Sequence, residues 1–331
     1  MIAQSNADTL ITIFGGSGFL GRHVVRALAK QEYRIRVAVR RPDLAGHLQP
    51  LGRVGQIHAV QANVRHRPSV AAAVRGSNVV INLVGILFES GRQRFDTVQS
   101  FGAEGIALAA AAHNARMIHV SAIGANENSS AAYARAKWRG EQLVLAATPD
   151  AVVFRPSIVF GPNDDFFNRF AGIAQLSPVL PLVGGGHTRF QPVFAGDVAD
   201  AIAKAVAGAT TPGAIYELGG PEVFTFKELM EFVLATIERR RLLVPLPFGL
   251  AKLQAAAFEL VSKVPLRVLS KPLLTRDQVE LLRYDNVVSD AARRDGLTLE
   301  GLGITPRSVE AIAPTYLWRF RKAGQFHGHL A

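Results

Sequence analysis

The feature that most constrains this chain is the glycine-spaced stretch FGGSGFLGRHVV, in which Gly15, Gly18 and Gly21 recur at three-residue intervals. A β-branched run precedes it at 10–14, and an amphipathic helical pattern follows at 19–30. Bare backbone between a strand and a helix permits a tight turn, lets N–H groups approach a pyrophosphate and directs the helix N-terminus at the anion. The stretch therefore predicts a phosphate-binding strand–turn–helix unit.

Strand and helix patterns alternate through the first half of the chain. Further strands are predicted at 35–39, 56–61, 78–85, 116–121 and 151–156, with helices near 42–51, 68–75, 97–113 and 130–147. Such alternation predicts a parallel sheet covered by helices on both faces, and strands that are apolar throughout their length suit that burial. We therefore expect an α/β fold, a Rossmann-like doubly wound parallel sheet with a smaller C-terminal lobe.

The alternation loosens after Pro156 into loops rich in proline and glycine. We expect residues 1–162, continuing through about 193–220, to form a dinucleotide-binding domain. Residues 163–192 and 221–331 are expected to form a smaller lobe over the carboxyl edge of the sheet, where open α/β sheets bind their ligands.

Composition excludes several classes of site. The chain has no cysteine, which excludes disulfides and thiolate catalysis, and its nine histidines show no ligand spacing, so we expect no metal. The net charge of +11 attracts anions, but no nucleic-acid-binding motif accompanies it. No apolar run approaches the roughly 18 residues of a membrane span, and no basic segment precedes an apolar one at the N-terminus. We expect a cytoplasmic protein without signal peptide or transmembrane helix.

A Tyr-x-x-x-Lys pattern, formed by Tyr133 and Lys137, lies in the helical segment after the strand that ends at Ser121. Residues four apart share one helix face, so Lys137 lies beside Tyr133. A neighbouring cation stabilises phenolate and lowers the pKa of a tyrosine, which would suit Tyr133 to act as general acid or base on a carbonyl or alcohol. Ser121 would hydrogen-bond the reacting oxygen. These three are the candidate catalytic residues if the site turns over.

The end of the second strand, VAVRRPD, decides which nicotinamide dinucleotide is expected. NAD-binding chains commonly present an acidic residue there to the ribose 2′-hydroxyl, whereas this chain presents Arg40 and Arg41. A hydrogen bond to a charged group contributes roughly 1.5 to 3 kcal/mol. One arginine–phosphate contact would therefore favour the 2′-phosphorylated cofactor by about ten- to a hundred-fold, and we predict NADP(H).

The glycine spacing, the turn Asn82-Leu83-Val84-Gly85 and the Tyr-x-x-x-Lys pattern together resemble the extended short-chain dehydrogenase/reductase superfamily. The resemblance implies that Asn63 lies near the adenine ring, where the superfamily usually has an acidic residue, and that the Arg155-Pro156-Ser157 segment lines the nicotinamide. The predicted cofactor-binding set is Gly15, Gly16, Ser17, Gly18, Phe19, Leu20, Gly21, Arg40, Arg41, Asn63, Val64, Leu83, Val84, Gly85, Ser121, Tyr133, Lys137, Pro156 and Ser157.

Three further segments, GGSGFLGRHVV, ELGGPEVFTFKELM and LLTRDQVELLRYDNVVS, narrow the resemblance to the nucleotide-binding accessory subunits of respiratory complex I, the NADH:ubiquinone oxidoreductase, in their alphaproteobacterial form. That resemblance implies NADPH held as a structural cofactor, complex I core subunits as partners, and a peripheral place on the cytoplasmic face of the inner membrane. Because the Ser, Tyr and Lys are all present, the alternative is an active NADP-dependent reductase, dehydrogenase or epimerase on a small or lipid-like carbonyl substrate.

The C-terminal part carries a membrane-surface signal. Between Ala235 and Thr275 there are seven Lys or Arg and two Glu, and each basic residue near an anionic leaflet contributes about 1 kcal/mol. The helical pattern at 248–262 puts Leu250, Leu253, Ala257 and Val261 on one face and Lys252, Glu259 and Lys263 on another. Two interpretations stay open, contact with an anionic membrane surface and an ordinary amphipathic helix packed on its own lobe.

Overall fold

A computed structural model gives the fold of residues 6–262 and 274–322, with only the backbone described for 257–262. Seven strands form one parallel sheet: β1 (Leu10–Phe14), β2 (Arg34–Val39), β3 (Ile57–Gln61), β4 (Val79–Asn82), β5 (Arg116–Val120), β6 (Val152–Pro156) and β11 (Ile215–Leu218). Their order across the sheet is β11-β6-β5-β4-β1-β2-β3. The predicted doubly wound α/β fold is confirmed, and its strand order reverses between β1 and β4.

Short strands pair outside this sheet: β7 (Val159–Phe160) with β10 (Val193–Phe194), β8 (Val179–Val183) with β13 (Leu242–Leu246), and β9 (Arg189–Phe190) with β12 (Phe224–Thr225). The helices are α1 (Phe19–Lys30), α2 (Arg67–Val74), α3 (Phe101–Ala112), α4 (Ala132–Ala147), α5 (Phe167–Leu176), α6 (Ala195–Val206), α7 (Phe226–Thr236), α8 (Phe248–Ser262), α9 (Arg276–Leu281), α10 (Asp290–Arg294), α11 (Val309–Ile312) and α12 (Pro314–Leu317).

The sheet is buried on both faces. Ile11 and Ile13 of β1 point into a core shared with α1 and α6, whereas Phe14 points into a second core shared with α2, α3 and α4. Thr12 is buried on that second side, where its hydroxyl pairs with Ser77 at 2.7 Å. Helices on both faces thus account for strands that are apolar along their whole length.

Three predicted elements differ in detail from the structure. The segment Pro42–Leu51 is a 3-10 helix rather than an α-helix, and it contains Pro50, which has no N–H to donate. β4 ends at Asn82, whose side chain accepts a hydrogen bond from the N–H of Val84 at 3.0 Å and turns the chain. The helix predicted from residue 97 begins as a π-helical turn, Asp96–Ser100, before α3.

The C-terminal lobe has its own aromatic core. Phe166, Phe170, Phe190 and Phe226 pack against one another with ring centroids 5.1 to 6.3 Å apart. Its buried members come from helices α5, α7, α11 and α12 and from the short strands β7 to β10. The exact division of the chain into domains stays a prediction.

Helix α8 packs on this lobe through small residues and not through the face of Leu250 and Leu253. Ala251 and Ala255 are buried against Val183, whereas Leu250 and Leu253 are 57% and 70% exposed. The remaining residues of the predicted face and the basic stretch at 263–273 lie outside the described side chains. Within 6–262 and 274–322, no helix is both long and apolar enough to cross a bilayer.

Candidate functional site

The glycine turn forms a cradle at the carboxyl end of β1. Gly15 has φ +83°, and a Cβ there would lie 3.2 Å from the carbonyl carbon of Leu83. A Cβ on Gly21 would lie 2.4 Å from the carbonyl oxygen of Gly15, so only glycine lets α1 pack this closely on the turn. α1 begins after Gly18 with no side-chain cap and no acidic residue in its first turn. The positive helix end therefore remains available to an anion.

The cradle opens at the strand-order reversal, where α/β sheets bind ligands. The other predicted loop residues, Gly16, Ser17, Phe19 and Leu20, belong to the same turn and first helical turn. Opposite it, Leu83, Val84 and Gly85 follow β4 directly, as the sequence predicts. Asn82, the residue before this turn, stabilises it. The side-chain nitrogen of Asn82 lies 3.1 Å from Nδ1 of His119 on β5.

The three candidate catalytic residues lie at the neighbouring strand ends. Ser121 follows β5 and is buried, and its Oγ has no partner among the described residues. Lys137 is 5% exposed, donates to the carbonyl of Val120 at 3.2 Å, and has its Nζ 6.0 Å from the ring centroid of Tyr133. A Cβ on Gly85 would lie 3.5 Å from that Nζ. Lys137 thus borders the same crevice as the turn after β4.

The surroundings of Tyr133 shift its pKa in the direction opposite to the one expected. Burial, with Asp277 contributing, raises the pKa of Tyr133 to about 12. The prediction that Lys137 would lower that pKa is therefore wrong. The reason is that the phenol is itself buried, which disfavours its charged form. Burial also lowers the pKa of Lys137 to about 8, although Glu141 favours its charged form. At neutral pH the tyrosine stays a neutral phenol.

Glu141, one turn beyond Lys137 on α4, is fully buried. It accepts two hydrogen bonds from the guanidinium of Arg155, at 2.9 and 2.6 Å. This bidentate pair fixes α4 against β6, the strand that ends at Pro156. The ion pair between Glu141 and Arg155 therefore fixes the part of α4 that carries Lys137.

At the other end of the crevice, the two predicted specificity arginines have different partners. Arg41 makes a bidentate contact with Asp43, with its shortest N–O distance 2.7 Å. Arg40 donates instead to the amide oxygen of Gln93 at 3.1 Å and has no carboxylate partner in the described part of the chain. Arg40 is consequently the uncompensated cation at the end of β2.

The predicted adenine-side residue Asn63 is engaged locally. Its side chain accepts a hydrogen bond from the backbone N–H of Arg65 at 3.1 Å.

The structure adds residues that the sequence did not suggest. Gln99 is buried in the π-helical turn with neither side-chain amide atom bonded, and Nε2 of His119 is also without a partner within 6–262 and 274–322. A Cβ on Gly85 would lie 3.6 Å from Oε1 of Gln99. Buried polar atoms are rarely left unpaired. Together with Ser121 Oγ, they indicate a site that a polar ligand completes.

Two predicted residues, one at the end of β6 and one directly after it, have different surroundings in the structure. Pro156 is the buried last residue of β6. The hydroxyl of Ser157 lies 2.7 Å from Oδ1 and 2.9 Å from the backbone oxygen of Asn286, so it is committed to the C-terminal lobe. Val64 packs beside the position of Gly102 on α3. Contacts of these three with a cofactor stay predictions.

These features fit a nicotinamide dinucleotide. The glycine cradle would suit the pyrophosphate, Arg40 would face the adenosine end, and the unpaired polar atoms near Lys137 would face the nicotinamide end. In the described ranges no three His, Asp or Glu side chains come together as a metal-binding group.

Comparison with known proteins agrees with this geometry. Residues 11–219 match the NAD dependent epimerase/dehydratase family. The chain is 37% identical over 330 residues to the Arabidopsis thaliana NADH dehydrogenase (ubiquinone) 1 alpha subcomplex subunit 9, mitochondrial, covering 98% of this chain and 81% of that one. It is 36% identical over 208 residues to the ceramide reductase of Caulobacter vibrioides, 63% of each chain. The fold superposes on an NADPH-dependent quinone oxidoreductase of Escherichia coli with TM-score 0.70 at 19% identity, covering 93% of this chain and 99% of that one.

Proposed function

Because this chain belongs to the NAD dependent epimerase/dehydratase family and is 37% identical over nearly its whole length to a relative named as a subunit of NADH dehydrogenase (ubiquinone), we propose that it is a nucleotide-binding accessory subunit of that complex. It holds NADP(H) as a structural cofactor rather than turning it over. Its partners are the core subunits of the complex, and it lies peripherally on the cytoplasmic face of the inner membrane.

The observation that carries this proposal is the binding cradle, a glycine turn beside buried polar atoms that have no partner among the described residues. The glycine turn and the unpaired polar atoms of Ser121 and Gln99 are built for binding. A bound nicotinamide supplies a hydride donor or acceptor, but turnover also needs a proton at the substrate oxygen.

The choice of NADP(H) over NAD(H) depends on the end of β2. Arg40 is exposed, carries no carboxylate partner among the described residues and stands where NAD-binding chains have an acidic group. A 2′-phosphate offers it a charge-assisted partner, whereas a 2′-hydroxyl does not. We therefore assign the phosphorylated cofactor.

The peripheral membrane position is supported by charge and exposed apolar side chains on the C-terminal lobe. Leu250 and Leu253 of α8 are exposed, and the segment from Ala235 to Thr275 carries seven basic and two acidic residues. Apolar residues beside basic ones suit an anionic lipid surface or the groove of a neighbouring subunit.

A second candidate is an active NADP-dependent reductase on a lipid-like carbonyl. It is favoured by the presence of Ser121, Tyr133 and Lys137 at one edge of the sheet, and by the similarity to a ceramide reductase. In this function Tyr133 would donate the proton and Ser121 would hold the substrate oxygen.

Purification in mild detergent from native membranes distinguishes the two functions. The accessory subunit should co-migrate with NADH:ubiquinone oxidoreductase activity and release close to one NADPH per chain only on denaturation. A chain that purifies alone and oxidises NADPH when long-chain carbonyls are added would overturn the proposal in favour of the reductase.

A further inference from the structure

The first turn of α4 depends on a residue far along the chain. α4 begins at Ala132, and its N-cap residue, Ala131, has no side chain able to accept a hydrogen bond. The carboxylate of Asp277 takes that place, accepting from the N–H of Ala132 at 2.6 Å and from the N–H of Tyr133 at 3.0 Å. A carboxylate at a helix N-terminus satisfies free N–H groups and favours the positive end of the helix dipole.

The position of Asp277 is stabilised by contacts within its own helix. It lies in the first turn of α9, where Thr275 and Gln278 form a reciprocal capping box. One turn further, Glu280 accepts a hydrogen bond from the hydroxyl of Ser130 at 3.0 Å and pairs with Lys252 of α8. Two carboxylates of α9 therefore hold the chain on either side of the start of α4.

The same segment of the C-terminal lobe also holds the opposite edge of the site. The side-chain oxygen of Asn286 accepts from the N–H of Ile158 at 3.1 Å and contacts the hydroxyl of Ser157, and its nitrogen donates to the carbonyl of Ile123 at 3.1 Å. Ile123 lies two residues beyond Ser121. The candidate site is thus bounded by contacts from 275–286 on both sides.

We propose that Asp277 is a positioning residue of the candidate site, through which the C-terminal lobe places the first turn of α4 and with it Tyr133. The placement follows from the two hydrogen bonds to the start of α4. A further effect is electrostatic, because a carboxylate beside a tyrosine disfavours a second negative charge. The inference rests on the proposed function, because it concerns how the C-terminal lobe shapes the crevice that would hold the nucleotide.

The charges around Tyr133 support this assignment. Lys137 faces its ring from the same helix, while Asp277 lies against its backbone from α9. Arg135 and Glu89 act on Asp277 itself, the first stabilising and the second opposing its charge. The ring of Phe95 packs edge-on against that of Tyr133, with the ring centroids 5.8 Å apart. Asp277 is thus the carboxylate that acts directly on the tyrosine.

The test compares the intact protein with Asp277→Ala and Asp277→Asn, and uses Asp285→Asn as the matched control. Asp285 lies in the same segment, but its carboxylate pairs with Arg189 rather than with α4. The rate of amide hydrogen exchange in peptides covering 130–134 measures the stability of the first turn of α4. The absorbance of tyrosinate, measured against the Tyr133→Phe background of each variant, reports the ionisation of Tyr133.

We expect Asp277→Ala to speed amide exchange at Ala132 and Tyr133 by about fivefold, and Asp277→Asn to lower the midpoint of the Tyr133 titration below about 12. NADPH, followed by its fluorescence during a chase with excess NADP⁺, should dissociate several-fold faster from Asp277→Ala. Asp285→Asn should match the unaltered chain in all three measurements. Equal exchange rates and equal titration midpoints in the Asp277 variants and the control would overturn the inference.

Failure of this inference is distinguishable from failure of the proposed function. Exchange and titration need no bound nucleotide, so they test Asp277 even if the chain holds no NADPH. Retained NADPH with unchanged exchange in Asp277→Ala contradicts only the positioning role. Because Asp277→Asn keeps one acceptor oxygen, it serves as the milder variant if Asp277→Ala does not fold.

Discussion

The two ends of the candidate crevice are built in different ways. The phosphate end is contiguous, since one turn from Gly15 to Gly21 supplies both the cradle and the open helix end. The other end, where we propose that the nicotinamide lies, is assembled from β4, β5, α4 and a carboxylate 144 residues from Tyr133 in sequence. The first is a local backbone conformation, whereas the second depends on how two lobes pack. We therefore expect changes at the first end to act on the turn directly and changes at the second to act through the packing of distant segments.

The largest effect is expected at the contiguous end. Gly21→Ala puts a Cβ 2.4 Å from a backbone oxygen, so α1 must move away from the turn. We expect loss of NADPH retention by at least about a hundredfold and a fall in the free energy of unfolding of about 2 kcal/mol. Gly46→Ala is the control, because nothing lies within 4 Å of its added Cβ. Calorimetry would measure the free energy of unfolding, and analysis of bound nucleotide would measure NADPH retention. Normal retention by Gly21→Ala would contradict the assignment of this turn to phosphate binding.

A smaller effect should separate the two arginines after β2. Arg40→Ser should weaken NADPH binding by about ten- to a hundred-fold and leave NADH binding unchanged. Arg41→Ser should change either affinity by less than about threefold, because Asp43 already neutralises Arg41. Fluorescence titration of both nucleotides measures this. Equal losses for the two variants would show that the arginines act together.

At the assembled end, Lys137→Met should separate binding from stability. Burial lowers the pKa of Lys137 to about 8 from 10.5 in the unfolded chain, so between these values the unfolded state binds more protons and stability rises with pH. At pH 7 the nucleotide-free variant should be more stable than the unaltered chain by roughly 2 kcal/mol, although it binds NADPH more weakly. Urea unfolding from pH 7 to 10.5 should show this advantage shrinking; a constant difference would contradict the buried cation.

The smallest effect is expected for Tyr133→Phe. The phenol is neutral at physiological pH, so its removal should change NADPH affinity by less than about threefold. The same variant abolishes turnover if the chain is instead a reductase. Measuring retained nucleotide and carbonyl-dependent NADPH oxidation in parallel therefore tests which function the assembled end performs.

Much of the fold followed from local patterns. The strands near 10–14, 35–39 and 116–120 and the helices at 19–30 and 132–147 agree with their predicted positions to within a residue or two. The π-helical turn that carries Gln99 escaped prediction because it depends on α4: a Cβ on Gly140 would lie 2.3 Å from the carbonyl oxygen of Gln99. The packing of α8 through small Ala251 and Ala255 was not evident from the sequence either, because it depends on the neighbouring Val183.

By itself, the sequence determined the sheet, the glycine turn at its first strand and the helix that carries Tyr133 and Lys137, because hydrophobic period and glycine spacing act over a few neighbouring residues. Tertiary structure alone decided which arginine lacks a carboxylate partner, which buried polar atoms have no partner among the described residues, and in which direction the pKa of Tyr133 is shifted. Those properties depend on burial and on charges brought together from distant parts of the chain, such as Asp277 at the start of α4.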